Sequence, residues 1–220
     1  ISSGGKRKKP SRNDHLNRTC GRYNTKFSRM RSLTSFFNAI SPLKEKTWDE
    51  LLPLFRETIL SANEYFVREN EVARKIAFLE SGVVRAFFIN TEGQEYNKQF
   101  FVGPSSIGGY TSLLTGKANL IPQQALTNCK IWTCEFRSLT ERYDQFPDLE
   151  RLSRKIAEYY FLEKEKKELE IVLLDASQRY RIFQKEFPTL EQLIPQYHIA
   201  SYLGISATQL SRIRHQFANK

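Results

Sequence analysis

The residues best equipped for chemistry sit near the end of this 220-residue chain, in the run Ser206-Ala207-Thr208-Gln209-Leu210-Ser211-Arg212-Ile213-Arg214. At helical spacing Leu210 and Ile213 turn inward, which leaves Ala207, Thr208, Gln209, Ser211, Arg212 and Arg214 on the outward face. Gln and Arg can make paired hydrogen bonds to adenine and guanine edges, while Thr and Ala can touch a thymine methyl. Ser206 and the helix start beside it suit a phosphate. Together these side chains read as a surface for double-stranded DNA.

Other chemistries lack candidates. The histidines are His15, His198 and His215, none in the β-rich middle of the chain, so the His-and-carboxylate site of a cupin-type metal enzyme has no donors there. Three cysteines, Cys20, Cys129 and Cys134, are too few for a four-ligand iron–sulfur cluster or a disulfide framework. Cys129 and Cys134 read as buried hydrophobes. No Gly-rich phosphate loop or nucleophile motif occurs, so catalytic residues are expected to be none, metal none and cofactors none.

A DNA-reading helix needs a frame that holds it steeply against a second helix. Ala200 is the small contact residue, and Gly204 can take the positive φ of a sharp turn. Ile199 and Leu203 face inward from the first helix, Ile205 plugs the turn, and Ser206 is placed to cap the second helix. The pattern is that of a helix-turn-helix. A helical hairpin that docks on another protein is the alternative.

Upstream, Leu33, Phe36, Phe37 and Ile40 recur at helical spacing until Pro42, and Thr47 precedes Trp48-Asp49-Glu50 as an N-cap. Segments 64–68, 74–80, 83–90, 96–102, 124–127 and 130–136 are short and rich in Val, Ile, Phe and Tyr. Gly82, Asn90-Thr91-Glu92-Gly93 and Gly103-Pro104 separate several of them. Successive strands without intervening helices predict an antiparallel sandwich or jelly roll. From Pro147 the period is helical again, through Leu149, Leu152, Ile156, Tyr159 and Tyr160, then a wholly charged interval at 163–168, then Leu169, Val172 and Leu173. This long helix either packs on its own sandwich or pairs with a second copy. Tyr180, Phe183 and Phe187 form a further stripe, closed by Pro188.

Charge is unevenly spread. The chain carries 34 Lys+Arg against 24 Asp+Glu, a net of +10. Residues 1–29 hold nine bases and one acid, so the rest carries only +2, and the segment 177–220 alone carries +4. The positive charge of the folded part thus gathers around the expected DNA surface. Residues 1–29 read as a disordered basic tail. Met30 is the only methionine and periodic sequence starts just after it, so this tail reads as an upstream or non-native extension in preference to a working basic arm. No run reaches the roughly 18–20 apolar residues of a membrane span, and a cytoplasmic location is expected.

A β-roll, a long helix and a C-terminal helix-turn-helix, in that order over about residues 31–217, resemble the Crp/Fnr family of bacterial transcription regulators. The likeness is sharpest at Ser177-Gln178-Arg179-Tyr180, at His198-Ile199-Ala200-Ser201-Tyr202-Leu203-Gly204-Ile205-Ser206 and at Leu210-Ser211-Arg212-Ile213-Arg214, which look like the branch common in Bacteroidetes. Gly82-Val83-Val84-Arg85 matches a sensor strand of the family. The resemblance implies an α+β chain: a cyclic-nucleotide-binding-like β-roll sensor at 30–146, a dimerisation helix at 147–175 and a DNA-binding domain at 176–220. It also implies a homodimer on a two-fold symmetric DNA site, RNA polymerase as an optional partner, and base reading by Thr208 and Arg212, with Ala207 where members often carry Arg.

Two departures stand out. Cyclic-nucleotide binders place Glu on the ribose and Arg on the cyclic phosphate, where this chain has Gly109 and Gln123. A buried phosphate would have no cationic partner, which counts against cyclic AMP. Gly108, Gly109, Tyr110, Thr111, Ser112, Gln123 and Gln124 are expected to line a pocket for another small effector, with an empty structural pocket as the competing reading. The second departure is a missing β-hairpin wing after the recognition helix, which predicts DNA affinity that falls steeply with salt.

Overall fold

The computed structural model describes residues 30–218; the expectations for residues 1–29 lie outside them. Two helices open the described part, α1 (Arg31–Ile40) and α2 (Glu45–Leu51), followed by a 3-10 turn at Leu52–Leu54. Eight strands follow: β1 (Arg56–Leu60), β2 (Tyr65–Val67), β3 (Lys75–Ser81), β4 (Val83–Ile89), β5 (Glu95–Val102), β6 (Ser105–Ile107), β7 (Gln123–Ala125) and β8 (Cys129–Glu135). They form two four-stranded antiparallel sheets, ordered β1-β8-β3-β6 and β2-β7-β4-β5. Short α3 (Tyr110–Thr115) interrupts the roll and α4 (Phe136–Thr140) leaves it. Then come α5 (Pro147–Leu173), α6 (Ala176–Glu186), α7 (Leu190–Leu193), α8 (Gln196–Leu203) and α9 (Ala207–Ala218).

Both sheets are covered on both faces. Between them lie Ala77, Leu79, Val84, Ala86, Phe101, Ala125 and Ile131. Beyond the first sheet, Phe78, Trp132 and Cys134 pack on Met30, Leu33, Trp48 and the start of α5 at Leu149 and Leu152. Beyond the second, Val83 and Phe100 pack on the C-terminal helices through Tyr180, Phe183 and Tyr202. A strand buried on both faces needs apolar residues at successive positions, and this is why the buried part of β4, 83–87, reads Val-Val-Arg-Ala-Phe without alternation. Gly82 joins β3 to β4 at φ +100°, where a Cβ would meet Cys129 Sγ at 2.6 Å and Asn128 O at 2.7 Å; no other residue fits.

Two local expectations change. Thr47 lies inside α2 and caps nothing: its hydroxyl donates to Asp148 at the start of α5, and so does the Lys44 amide at 2.8 Å. A carboxylate a hundred positions downstream therefore holds the α2 N-terminus. Burial alone would raise the Asp148 pKa, but the hydrogen bonds from Lys44 and Thr47 outweigh it and bring it below the usual carboxylate range. Strands β1 and β6 carry no sequence signal. β1 shows four exposed residues in five, and β6 is only Ser-Ser-Ile.

The charged interval does not break α5, which runs unbroken from Pro147 to Leu173. Its charges pair along the helix, Lys164 with Glu168 at 3.4 Å and Lys167 with Glu170 at 3.5 Å. Lys166 also reaches Glu186 and ties α5 to α6. Asp175 and Gln178 form a reciprocal capping box that opens α6. No helix among the described residues is long and apolar enough to cross a membrane.

Candidate nucleic-acid interface and effector pocket

Helix α8 ends in Gly204, at φ +68°, and α9 begins three residues later. A Cβ at Gly204 would meet nothing within 4 Å, so glycine is required by the left-handed backbone alone. Ser206 Oγ accepts from the Gln209 amide at 3.1 Å, the cap its position suggested. Ile199, Ala200, Leu203, Leu210 and Ile213 are buried, and Ile205 packs partly against them. Ser206, Ala207, Thr208, Gln209, Ser211 and Arg212 are exposed on one side of α9. Arg214 departs from that group: it is half-buried and its guanidinium lies 3.6 Å from Glu191, to which Tyr180 also donates.

The Ser177–Tyr180 signature is structural. Gln178 closes the capping box and Tyr180 holds Glu191. Arg179 donates to Leu203 O at 3.0 Å and to Leu174 O at 2.5 Å, satisfying carbonyls at the ends of α8 and α5. Its charge counted toward the basic segment in the sequence, yet the group faces inward.

The helix pair is moored by residues that sequence reading did not assign to that role. Arg85, 4% exposed, extends from the outer face of β4. Its guanidinium donates to Glu95 at 2.5 Å and to Gln124 Oε1 at 2.7 Å, and lies 3.3 Å from His198 Nδ1 on α8. Asn97 donates to His198 O at 2.9 Å and approaches Nδ1 at 3.2 Å. Facing two donors, Nδ1 must be the acceptor of a neutral ring. Burial, then the Arg85 charge, lowers the His198 pKa to about 4 against a smaller pull from Glu95. Ser201 completes the joint, accepting from the Asn97 amide and donating to Glu95 O. A charged residue inside an otherwise apolar strand was the available signal.

A cavity of about 1820 Å³ runs from inside the roll along α5 toward α8. Gly108, Gly109, Tyr110, Thr111, Ser112 and Gln123 border it. Gln124 does not: successive side chains on a strand point to opposite faces, so Gln123 looks into the roll and Gln124 outward to Arg85. Ser112 is already satisfied, accepting from the Ala73 amide and donating to Lys117 O. Tyr110 is exposed and packs edge-on against Phe136. At Gly109 a Cβ would come within 3.0 Å of Asn119 Oδ1 and 3.2 Å of Ala73, so the space a Glu side chain would start from is occupied.

The order of elements and the two-sheet roll recur in solved structures. FixK2 from Bradyrhizobium japonicum superposes with a TM-score of 0.68 at 17% identity, over 75% of this chain and 85% of that one. The c-di-GMP responsive global regulator CLP of Xanthomonas campestris gives 0.63 at 14% identity, over 80% and 92%. A transcriptional regulator of the Crp/Fnr family from Eubacterium rectale gives 0.64 at 13%, over 80% and 84%. The fold is that of the Crp/Fnr regulators. No family model and no curated protein matches the sequence.

Within that Crp/Fnr fold, Cys129 and Cys134 are buried free thiols. Burial pushes the Cys134 pKa up to about 11 and raises that of Cys129. Both therefore stay protonated and unreactive at neutral pH. No group of His, Cys, Asp and Glu among the described residues is arranged to hold a metal ion.

Proposed function

We propose that this chain is a Crp/Fnr-type transcription regulator, a cytoplasmic homodimer that binds duplex DNA and is a binding protein, not an enzyme. In this reading residues 30–146 sense a small effector, 147–175 pair two copies, and 176–220 bind DNA, with RNA polymerase an optional further partner. The observation that carries the reading is the exposed side of α9, with Arg212 and Gln209 free of the fold behind a capped N-terminus and a tight glycine turn. Two such helices in a symmetric dimer would enter successive major grooves about 34–36 Å apart. Thr208, Gln209 and Arg212 would then meet base edges, and Ser206 and Ser211 the phosphates. Arg214, held by Glu191, serves the helix more than the DNA.

The test is binding to duplexes selected from a random library and to random duplex, each over a range of salt. Affinity for both should fall steeply with salt. Arg212→Ala should cost specific binding about 1–3 kcal/mol and random-duplex binding less. Equal losses on both DNAs would make Arg212 a phosphate contact only. No binding to random duplex at low salt would favour a protein-docking hairpin instead.

A further inference from the structure

Among the described residues two buried side-chain atoms have no hydrogen-bond partner: Ser106 Oγ, on the outer face of the first sheet with Phe78, and Gln123 Oε1, inside the roll. Their residues are 6% and 4% exposed, and both border the cavity. The Gln123 amide has a defined orientation. Its Nε2 donates to Gly108 O at 2.9 Å, and the reverse placement would set two carbonyl oxygens against each other. Oε1 is therefore an acceptor buried in the cavity wall. Ser106 is held through its backbone, since Tyr160 of α5 donates to Ser106 O at 2.9 Å and accepts from Ser106 N. Its side chain shares the outer face of the first sheet with Phe78, away from Gln123.

The surrounding wall is apolar, formed by Ala77, Ala86, Phe101, Ile107 and Ile121. The cations that border the cavity are engaged or exposed. Lys164 pairs with Glu168, Lys166 and Lys167 with Glu170, and Arg179 holds backbone carbonyls. Lys98 sits over the Phe88 ring at 5.8 Å, and Lys117 is exposed. Arg85, the buried cation of the roll, points out of the opposite face. An anion at Gln123 would meet lone pairs and no compensating charge.

We propose that the inner end of this cavity binds an uncharged molecule with a flat apolar body and an N–H or O–H donor aimed at Gln123 Oε1, such as a carboxamide, a phenol or a nucleobase, and that it excludes carboxylates and phosphates. This rests on reading the roll as an effector chamber. The ligand's donor supplies the partner Gln123 lacks, and the apolar wall holds the body of the molecule.

The experiment is calorimetry on the full chain with matched neutral and anionic probes: phenylacetamide against phenylacetate, and adenosine against cyclic AMP. In each pair that binds, the neutral member should bind at least about tenfold tighter, the worth of one hydrogen bond. Gln123→Met keeps the side-chain length, removes the acceptor and should weaken the neutral probe about tenfold. Gln123→Arg should turn the preference toward the anion. If the Gln123 variants fail to fold, Ile121→Ala is the second probe: it removes part of the apolar wall and should weaken the same neutral ligand. An anion that binds as tightly as its neutral partner, or neutral binding indifferent to Gln123→Met and Ile121→Ala, overturns the assigned class. No binding by any probe at millimolar concentration overturns the chamber itself, and DNA binding by the same preparation shows whether the regulator reading still stands.

Discussion

His198 is held as a neutral acceptor between Arg85 and Asn97, and that makes a pH dependence readable from one side chain. Its pKa drops from 6.5 to about 4 on folding, so between those values the unfolded chain binds more protons than the folded one. The stabilisation is complete above about pH 6.5 and is lost as pH falls toward 4. Urea unfolding at pH 7 and pH 5 should show a marked fall in midpoint for the native sequence and a smaller one for His198→Gln; equal falls would remove His198 as the cause. At this scale the sequence was partly legible. The inward set of the helix-turn-helix and the Ser206 cap follow from spacing that local geometry demands. The partners of Arg85, Arg214 and Asp148 do not, because each lies in a distant element that only the folded chain brings close.

The turn and the long helix are the elements whose roles can be tested separately. Gly204 is glycine for backbone reasons only, so Gly204→Ala should lower stability by about 1–2 kcal/mol and Gly204→Asn by less, measured by urea denaturation. Loss of folding on either change would mean that packing, not conformation, governs the site. On α5, Leu162, Leu169, Val172 and Leu173 are 62%, 59%, 79% and 70% exposed, an apolar strip that one copy leaves uncovered. Leu169→Glu should yield a folded monomer by light scattering while its circular dichroism is retained; an unchanged mass would place any dimer contact elsewhere. The strip was visible in the sequence as an ambiguity, since the charged interval interrupts the apolar spacing without interrupting the helix. Helical phase was thus legible and the choice of what it packs against was not. Strands β1 and β6 escaped notice for the opposite reason: their pairing comes from β8 and β3, not from any pattern of their own.

On the scale of the whole molecule, the second sheet separates two buried regions, the roll interior and the seat of the C-terminal helices. Phe100 sits in that seat with Tyr202 at 5.0 Å, Phe187 at 6.1 Å and Phe183 at 6.4 Å between ring centres. Phe100→Ala should cost about 3–5 kcal/mol and split a single thermal transition into two, read by calorimetry. One undivided transition at unchanged temperature would show that the two regions unfold independently of this contact. The layered order was legible from the succession of strand-like and helix-like segments. The docking of helices on the sheet was not, because strands buried on both faces hide which face meets which neighbour.

Neighbouring residues on β7 look opposite ways, Gln123 into the chamber and Gln124 toward the guanidinium that anchors α8. A short strand shifts as one rigid link. Whatever tugs on its inner amide must also load the outer one, so the cavity wall and the anchorage of α8 share a single lever.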